Sequence, residues 1–276
     1  MKVVLFCGGL GTRLRDYDPD LPKPMVNIGY RPIMWHVMKY YAHYGHKDFV
    51  LCLGYKADVI KQYFLNYNEC LSNDFVLADG GSKLELLNSD IHDWRITFVD
   101  TGQNSTIGER LRQVRPYLQG EEMFLANYSD CVTDLNLKAY IEHFRSRGRV
   151  AALITVPPNV TSHYVAATDG VVTNLTNVQG TGLRVNGGFF IFRQEIFGYL
   201  REGEELVEAP FHRLMREQQL VAYEHNGFWK AVDTFKDKQQ LDELFASGNR
   251  PWEIWRSRGS AEPRDGSPSS TAGTTS

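Results

Sequence analysis

A glycine-rich stretch near the N-terminus, FCGGLGTRL at residues 6–14, combines small residues with a fixed positive charge. Gly8, Gly9 and Gly11 leave the backbone bare, so that a polyphosphate can approach it closely. Thr12 and Arg13 follow, and the planar Arg13 guanidinium fits phosphate oxygens. The stretch has neither the GK[ST] of a P-loop nor a GxGxxG fingerprint. We therefore predict a phosphate-binding loop, with a purely structural glycine turn as the alternative.

A lysine between two prolines follows this loop. Pro22 and Pro24 favour an extended backbone around Lys23, which keeps the lysine off a helix face. The ammonium group should then project from a stiffened loop, where it can meet an anion. A solvated surface lysine is the alternative, since most lysines are exposed.

Two aspartates each come directly after an apolar run. Asp130 follows residues 123–128, and Asp233 ends the segment WKAVD. Each carboxylate should therefore lie at the margin of a buried strand. Mg²⁺ is commonly held by one or two carboxylates together with phosphate oxygens and water, so this pair would suffice for one ion. Turn or capping aspartates are the alternative interpretation.

Alternating strands and helices position these residues. Apolar periodicity predicts strands over 2–7, 49–53, 95–99, 123–128, 150–156 and 220–223, and helices near 33–44, 58–66, 107–118, 137–147, 211–218 and 235–246. This order indicates a three-layer α/β fold with a Rossmann-like, mixed and mainly parallel sheet. Short β-like runs over 164–193 predict a small antiparallel extension of that sheet. Ligands should gather beyond the carboxyl ends of the strands, where the glycine loop and Asp130 lie.

Composition limits the partners and the compartment. The 276 residues carry a net charge of -3, without the basic excess that drives binding to nucleic acid. No apolar run approaches the ~20 residues of a membrane span. The four cysteines include no CxxC pair, which argues against a zinc site or a disulfide framework and favours a reduced cytoplasmic protein. We expect one catalytic domain over 1–258 and a disordered tail over 259–276, where no aliphatic residue is larger than alanine.

Several segments in one order carry a family resemblance. They are FCGGLGTRL, LPKPMVNIGYRPIMWHVMKYY, KDFVLCLGYKADVIKQYF, ITFVDTG, NYSDCVTDL, VNGGFFIF, GFWKAVDTFKDK and RPWEIW. Over residues 1–255 the chain resembles the sugar-phosphate nucleotidylyltransferases, and within them the glucose-1-phosphate cytidylyltransferase branch. These enzymes join a nucleoside monophosphate from an NTP to a sugar 1-phosphate and release pyrophosphate. The resemblance also implies that the protein forms a homo-oligomer.

The resemblance assigns roles residue by residue. It implies catalytic Arg13 and Lys23, which would neutralise phosphate charge, and a Mg²⁺ held by Asp130 and Asp233. It implies a nucleotide-binding set of Leu5, Cys7, Gly8, Gly9, Gly11, Thr12, Thr106, Gly108 and Arg110. It implies sugar contacts at Asn186 and Gly187, although Asn-Gly is also a hairpin signal. CTP is the favoured donor because Arg110 keeps the position that contacts cytosine in this branch, with Glu109 in place of a glycine; another NTP is the alternative.

Two departures from the family pattern bear on the acceptor. Ser129-Asp130-Cys131 stands where the family has GDG, so side chains replace both glycines. The family's EKP segment, whose charges hold the sugar and its phosphate, is replaced by residues 175–180, LTNVQG. A cyclitol or a modified sugar phosphate is therefore an alternative acceptor. Lys230 stands where this branch has glutamine, and we hypothesise that it supplies the missing phosphate charge.

Two other classes of function remain open from the sequence. The altered segments favour a nucleotide-sugar binding protein that has lost turnover. A glycosyltransferase is the weaker option, because Ser129-Asp130-Cys131 is not the DxD pair that usually holds its metal. Pyrophosphate release separates the transferase from both.

Overall fold

A seven-stranded mixed sheet forms the centre of the molecule. The computed structural model describes residues 1–9, 21–158 and 163–256. The strands are β1 Val3–Phe6, β2 Asn27–Ile28, β3 Arg31–Pro32, β4 Asp48–Leu53, β5 Phe75–Ala78, β6 Lys83–Leu86, β7 Arg95–Asp100, β8 Met123–Asn127, β9 Cys131–Thr133, β10 Ala151–Val156, β11 His163–Thr168, β12 Val171–Asn177, β13 Val185–Arg193, β14 Leu220–Glu224 and β15 Trp229–Ala231. The α-helices are α1 Ile33–His43, α2 Ala57–Leu65, α3 Ile107–Val114, α4 Leu137–Arg147, α5 Ala209–Arg216 and α6 Phe235–Ala246.

The main sheet has the order β14-β10-β13-β8-β1-β4-β7. Its neighbouring strands pair in parallel, except that β13 runs antiparallel to both β8 and β10. Small two-stranded antiparallel sheets, such as β11 with β12, lie outside it. The predicted α/β fold with a mixed, mainly parallel sheet is confirmed.

The predicted small antiparallel extension over 164–193 is present, and the structure shows where each of its strands lies. β11 and β12 form a separate hairpin, but β13 lies inside the main sheet between β8 and β10. Residues 187–192 of β13 are buried without alternation, which is the pattern of a central strand covered on both faces. The sequence does not separate β13 from this hairpin, because the hairpin directly precedes the strand in the chain.

Alternate side chains of each strand enter two separate cores. Leu5 and Leu51 pack with α1, α2 and α4 on one face of the sheet. Val4 and Phe124 pack with α3 and α5 on the other face. This division makes three layers, and it fixes the sheet firmly enough for its strand ends to position a site. Among the described residues, we find no helix that is long and apolar enough to cross a lipid bilayer.

A two-stranded ribbon of β9 and β15 lies beside the sheet. Ala231 pairs with Cys131, and the Val232 amide donates to the Asp130 carbonyl over 2.9 Å. Val132 and Val232 are buried in a third apolar cluster, which also contains Leu241 of α6. The ribbon therefore brings the chain at Asp130 and the chain at Asp233 to the same end.

A buried histidine beneath this ribbon makes stability depend on pH. His36 is 1% exposed, its Nε2 donates to the Ile28 carbonyl, and its Nδ1 accepts from Trp252 Nε1. Burial above all, with some repulsion from Arg250 and Arg256, lowers the pKa of His36 from 6.5 to about 4. As the pH falls from 6.5 to about 4, His36 therefore binds a proton in the unfolded chain but not in the folded chain.

We expect this histidine to lower the free energy of unfolding by about 2 kcal/mol between pH 7 and pH 5, as an order of magnitude. Urea unfolding at the two pH values measures the loss. A His36→Gln variant should lose less over the same interval, whereas His43→Gln, at an exposed position, should behave as the parent protein. An equal loss in the parent and in His36→Gln would contradict this assignment.

Candidate active site

Three of the predicted site residues meet at one point. Lys23 Nζ lies 2.5 Å from Asp130 Oδ2 and 2.8 Å from Asp233 Oδ1. The three side chains come from positions more than 100 residues apart in the sequence. They meet beyond the carboxyl end of β8, where the topology of the sheet favours ligand binding.

A short turn of 3-10 helix carries the lysine. The Lys23–Met25 segment adopts this turn, so the predicted extended loop is wrong. Pro24 is tolerated because the first N–H groups of a helical turn need no partner within it. Pro24 and Met25 are buried, and the Val26 amide donates to the Lys23 carbonyl over 3.2 Å. The base of the lysine side chain is therefore anchored, while its four-carbon stem reaches the aspartates.

A left-handed turn at Ser129 directs Asp130 into the site. Ser129 has φ of 65°, a conformation that costs a non-glycine residue roughly 1–2 kcal/mol. Its Oγ donates to the Phe6 carbonyl over 2.8 Å, and its amide donates to Asn127 Oδ1 over 2.7 Å. These bonds hold the serine where the family has glycine, and they tie the turn to the end of β1.

Cys131, which stands where the family has its second glycine, is buried in the apolar core. Cys131 is 1% exposed and packs in the same apolar cluster as Tyr41 and Phe189. Its Sγ lies 3.7 Å from the Gly187 carbonyl oxygen, and burial raises its pKa well above the usual value. Cys131 is thus a buried thiol under the site rather than a group on its surface.

Charge at this cluster is partly shielded from water. The side chains of Lys23 and Asp130 are 18% and 19% exposed, whereas that of Asp233 is 49% exposed. Burial opposes the charge of Lys23, but the two carboxylates outweigh it and raise the pKa of the ammonium group. Burial raises the pKa of Asp130, and Lys23 offsets only part of that rise. The site therefore keeps a cation between the two acids.

This donor set fits a single Mg²⁺. Two carboxylate oxygens from separate elements converge on one cationic centre, now formed by Lys23 Nζ. Mg²⁺ prefers oxygen ligands and usually takes one or two carboxylates, leaving its other positions to phosphates and water. The described ranges contain no cluster of three or more metal-binding side chains, so a site made wholly by the protein is not indicated there. Asp130 and Asp233 could hold a magnesium ion that arrives with phosphate oxygens.

The glycine loop is described only at its beginning. Gly8 is buried and Gly9 is exposed with open space where a side chain would stand. Gly11, Thr12 and Arg13 lie outside the described residues, so their predicted roles stay predictions. Leu5 and Cys7 place their side chains in the apolar core, which leaves only their backbone for a ligand.

Arg110 binds backbone carbonyls at the ends of three strands. Arg110 is 2% exposed, and burial lowers the pKa of its guanidinium group. Its acceptors are the carbonyls of Leu53 at 3.0 Å, Gly102 at 2.9 Å, Gly8 at 2.9 Å and Gln103 at 3.3 Å, and Thr101 Oγ1 at 2.7 Å. A Cβ at Gly8 would lie 2.2 Å from the Arg110 Cζ atom. Arg110 therefore joins β1, β4 and β7 beneath the glycine loop, while its contact with a base stays a prediction.

Thr106 and Gly108 have structural roles at the start of α3. Thr106 Oγ1 accepts from the Glu109 amide over 3.2 Å and donates to the Glu204 carbonyl over 2.8 Å. A Cβ at Gly108 would lie 2.4 Å from that same carbonyl oxygen. Both residues let the chain at Glu204 pack against the helix, and a role in nucleotide binding remains a prediction.

Asn186 and Gly187 lie within β13, so the alternative of a hairpin turn is wrong. Asn186 is exposed, its Nδ2 lies 3.4 Å from Tyr128 Oη, and its Oδ1 accepts from the Gly188 amide. The Gly187 carbonyl accepts from Trp229 Nε1 over 2.8 Å. The sequence did not predict a role for Trp229, which links β15 to β13, the strand that contains Asn186. Its large aromatic side chain was the one signal that could have indicated such a role.

Lys230 is turned away from the role that we hypothesised for it. Its Nζ lies 2.8 Å from Asp237 Oδ1 and 2.5 Å from Gln240 Oε1, and the side chain is 10% exposed. Asp237 also closes the capping box of α6 with Thr234, one residue after Asp233. The charge of Lys230 is matched inside the protein, so its position does not support the interpretation as a substitute phosphate-binding cation.

Replacing Lys230 by methionine should therefore affect stability rather than substrate binding. We expect a loss of about 1–3 kcal/mol in the free energy of unfolding, because Asp237 would keep a partly buried charge without this partner. The KM for the acceptor phosphate should change less than twofold. Urea unfolding and steady-state kinetics measure the two quantities, and a tenfold rise in KM with unchanged stability would restore the phosphate-binding role.

Comparisons with known proteins agree with this architecture. The family model for nucleotidyl transferases matches residues 2–243. A glucose-1-phosphate cytidylyltransferase from Salmonella typhimurium is 38% identical over 258 residues, which cover 92% of this chain and all of the relative. The resemblance predicted from the sequence is confirmed.

Solved structures share the fold at low identity. The crystal structure of a UDP-glucose pyrophosphorylase complexed with UDP-glucose has a TM-score of 0.65 and 14% identity, and covers 90% of this chain and 98% of its own. HddC from Yersinia pseudotuberculosis has a TM-score of 0.61 and 20% identity, and covers 88% and 99% respectively. The chain therefore shares its three-layer α/β fold with these two proteins. By its sequence, the chain belongs to the nucleotidyl transferase family.

Proposed function

We propose that this protein is a Mg²⁺-dependent sugar-1-phosphate nucleotidylyltransferase that transfers CMP from CTP and releases pyrophosphate. The observation that carries the proposal is the convergence of Lys23, Asp130 and Asp233 at one strand end. Two carboxylates and a cation are what a reaction between two phosphorylated substrates needs, because its catalysis consists of positioning and charge neutralisation.

Each residue has a part in this chemistry. A phosphate oxygen of the acceptor attacks the α-phosphorus of CTP, and pyrophosphate leaves from the opposite side. Asp130 and Asp233 would hold a magnesium ion, which would supply positive charge against the phosphate oxygens. Lys23 would bind the phosphates from its anchored turn, and Arg13 would do so from the glycine loop. No covalent intermediate with the protein is required.

CTP is the donor that we favour. The support comes from the relative in Salmonella typhimurium, which is called a glucose-1-phosphate cytidylyltransferase. The acceptor is proposed as a sugar 1-phosphate. A cyclitol or modified sugar phosphate is the alternative, since residues 175–180 lack the charges of the EKP segment.

Pyrophosphate release tests the proposal. The protein would be incubated with Mg²⁺, each of the four NTPs, and a panel of sugar and cyclitol 1-phosphates. We expect pyrophosphate only when an acceptor is present, with CTP giving the highest kcat/KM. Binding of CDP-sugars without pyrophosphate release from any pair would instead support a nucleotide-sugar binding protein.

A homo-oligomer is a further part of the proposal. Two hairpins expose apolar side chains that include Leu77, Leu84, Val171 and Leu175, each more than half exposed. Isolated two-stranded hairpins are marginally stable in water, so cover by another subunit would stabilise them. Sedimentation equilibrium tests this part, and a monomer at all concentrations would contradict it.

We place the protein in the cytoplasm. Cys7, Cys52, Cys70 and Cys131 are all free, and such unpaired thiols are typical of a reducing compartment. Cell fractionation tests the assignment, which recovery from an oxidising compartment would contradict.

A further inference from the structure

We propose that Lys23 keeps the site closed to free divalent cations and releases it only to a cation that arrives with nucleotide phosphates. This inference rests on the proposed function and concerns the regulation of the same site. Lys23 Nζ donates to Asp130 Oδ2 over 2.5 Å and to Asp233 Oδ1 over 2.8 Å. The two acids that a metal would need are therefore already joined by an internal cation.

The ammonium group and a metal ion cannot occupy this place together. Mg²⁺ lies about 2.0–2.1 Å from its oxygen ligands, so an ion held by the same two oxygens would lie against Lys23 Nζ. The Lys23 and Asp130 side chains are less than one-fifth exposed and that of Asp233 is 49% exposed, so water screens only part of the repulsion between the two cations. One of the two cations has to leave.

The lysine is the partner that can move. Both aspartates adjoin the β9–β15 ribbon, since Asp130 comes directly before β9 and Asp233 comes shortly after β15. The ribbon is fixed by its pairing, by the bond from the Val232 amide to the Asp130 carbonyl, and by the buried Val132 and Val232. The ammonium group instead lies at the end of a flexible four-carbon stem. Entry of a metal should therefore displace Lys23 Nζ and leave the aspartates in place.

The displaced ammonium group needs another anion. A free cation would break the two charge-assisted hydrogen bonds of Lys23 without giving its ammonium group a new anionic partner. A nucleotide brings phosphate oxygens to which Lys23 can turn. Nucleotide binding should thus raise the affinity for the metal, and by linkage the metal should raise the affinity for nucleotide to the same degree. Until then Lys23 holds the two like-charged acids together.

Binding of Mn²⁺, as a spectroscopic stand-in for Mg²⁺, tests the proposal without turnover. Electron paramagnetic resonance would measure the Mn²⁺ Kd with and without CTP. In the parent protein CTP should lower this Kd by about 5- to 150-fold, the usual range of coupling between sites. Lys23→Met should bind Mn²⁺ about tenfold more tightly without CTP, and the effect of CTP on this Kd should become about tenfold smaller than in the parent protein, because the phosphate oxygens of CTP still coordinate the metal. Lys23→Arg keeps the charge and should keep the coupling.

The exposed Lys47–Asp93 ion pair supplies the matched control. Lys47→Met removes the same charge far from the site and should leave both Kd values unchanged. If Lys23→Met does not fold, Lys23→Gln takes its place and must show the same gain in affinity. An unchanged or weaker Mn²⁺ affinity in the nucleotide-free variant would overturn the inference even if the parent protein releases pyrophosphate. Intact coupling without pyrophosphate release would instead overturn the proposed function alone.

Discussion

Asp130→Asn is expected to lower kcat for pyrophosphate release by about 10²- to 10³-fold, the effect of losing one well-placed electrostatic group. Asp130 is the more buried of the two acids, and it makes the shorter contact with Lys23. Asparagine keeps its shape but loses the charge that would hold a metal, and it turns an amide donor towards a cation. Steady-state kinetics measure the loss, and circular dichroism shows whether the fold is kept.

Asp93→Asn is the matched control for this substitution. Asp93 forms an ion pair with Lys47 on the surface, with 39% of its side chain exposed. Its loss should change kcat less than twofold, since exposed ion pairs contribute little. A loss below tenfold in Asp130→Asn, with a folded protein, would remove Asp130 from the catalytic group.

Arg110→Ala is expected to destabilise the protein by about 3 kcal/mol or more. The substitution removes the donor from four carbonyls and one hydroxyl at the ends of β1, β4 and β7, and each buried acceptor left unpaired costs about 1–3 kcal/mol unless water reaches it. Urea unfolding measures the loss. Binding of nucleotide should weaken as well, because the glycine loop starts at Gly8, which Arg110 supports.

Arg112, on the same helix, provides the control. Its side chain is 38% exposed and pairs with Glu109, so Arg112→Ala should cost less than about 1 kcal/mol. Full stability of Arg110→Ala together with a selective rise in the KM for CTP would show that the arginine reads the base and does not join the strands.

The sequence pattern shows where buried strands end. The strands, the helices and the cluster of Lys23, Asp130 and Asp233 could therefore be predicted. Continuous apolar runs marked the buried strands, and acidic residues placed directly after such runs marked their carboxyl ends. The resemblance then connected residues that lie far apart in the chain. The main sheet and this cluster could therefore be predicted from the sequence alone.

The contacts of Arg110, Lys230 and β13 could not be predicted from the sequence. The partners of Arg110 are mainly backbone carbonyls from three strands, and sequence does not show which carbonyls converge. Lys230 precedes Asp233 by three residues, but strand geometry turns it towards α6, where Asp237 matches its charge. β13 reads as part of an extension because its place between β8 and β10 depends on long-range pairing. In each case tertiary contacts decide the role of the residue.

Counting the Mn²⁺ ions that bind in the presence of CTP shows whether Asp130 and Asp233 form one metal site. The two aspartates are predicted to form one metal site, so the parent protein should bind one tight Mn²⁺ per chain by electron paramagnetic resonance. Asp130→Asn and Asp233→Asn should each abolish that tight binding, and the double variant should lose no more than either single variant. One Mn²⁺ bound with unchanged affinity by the folded double variant would show that the two aspartates do not hold the metal.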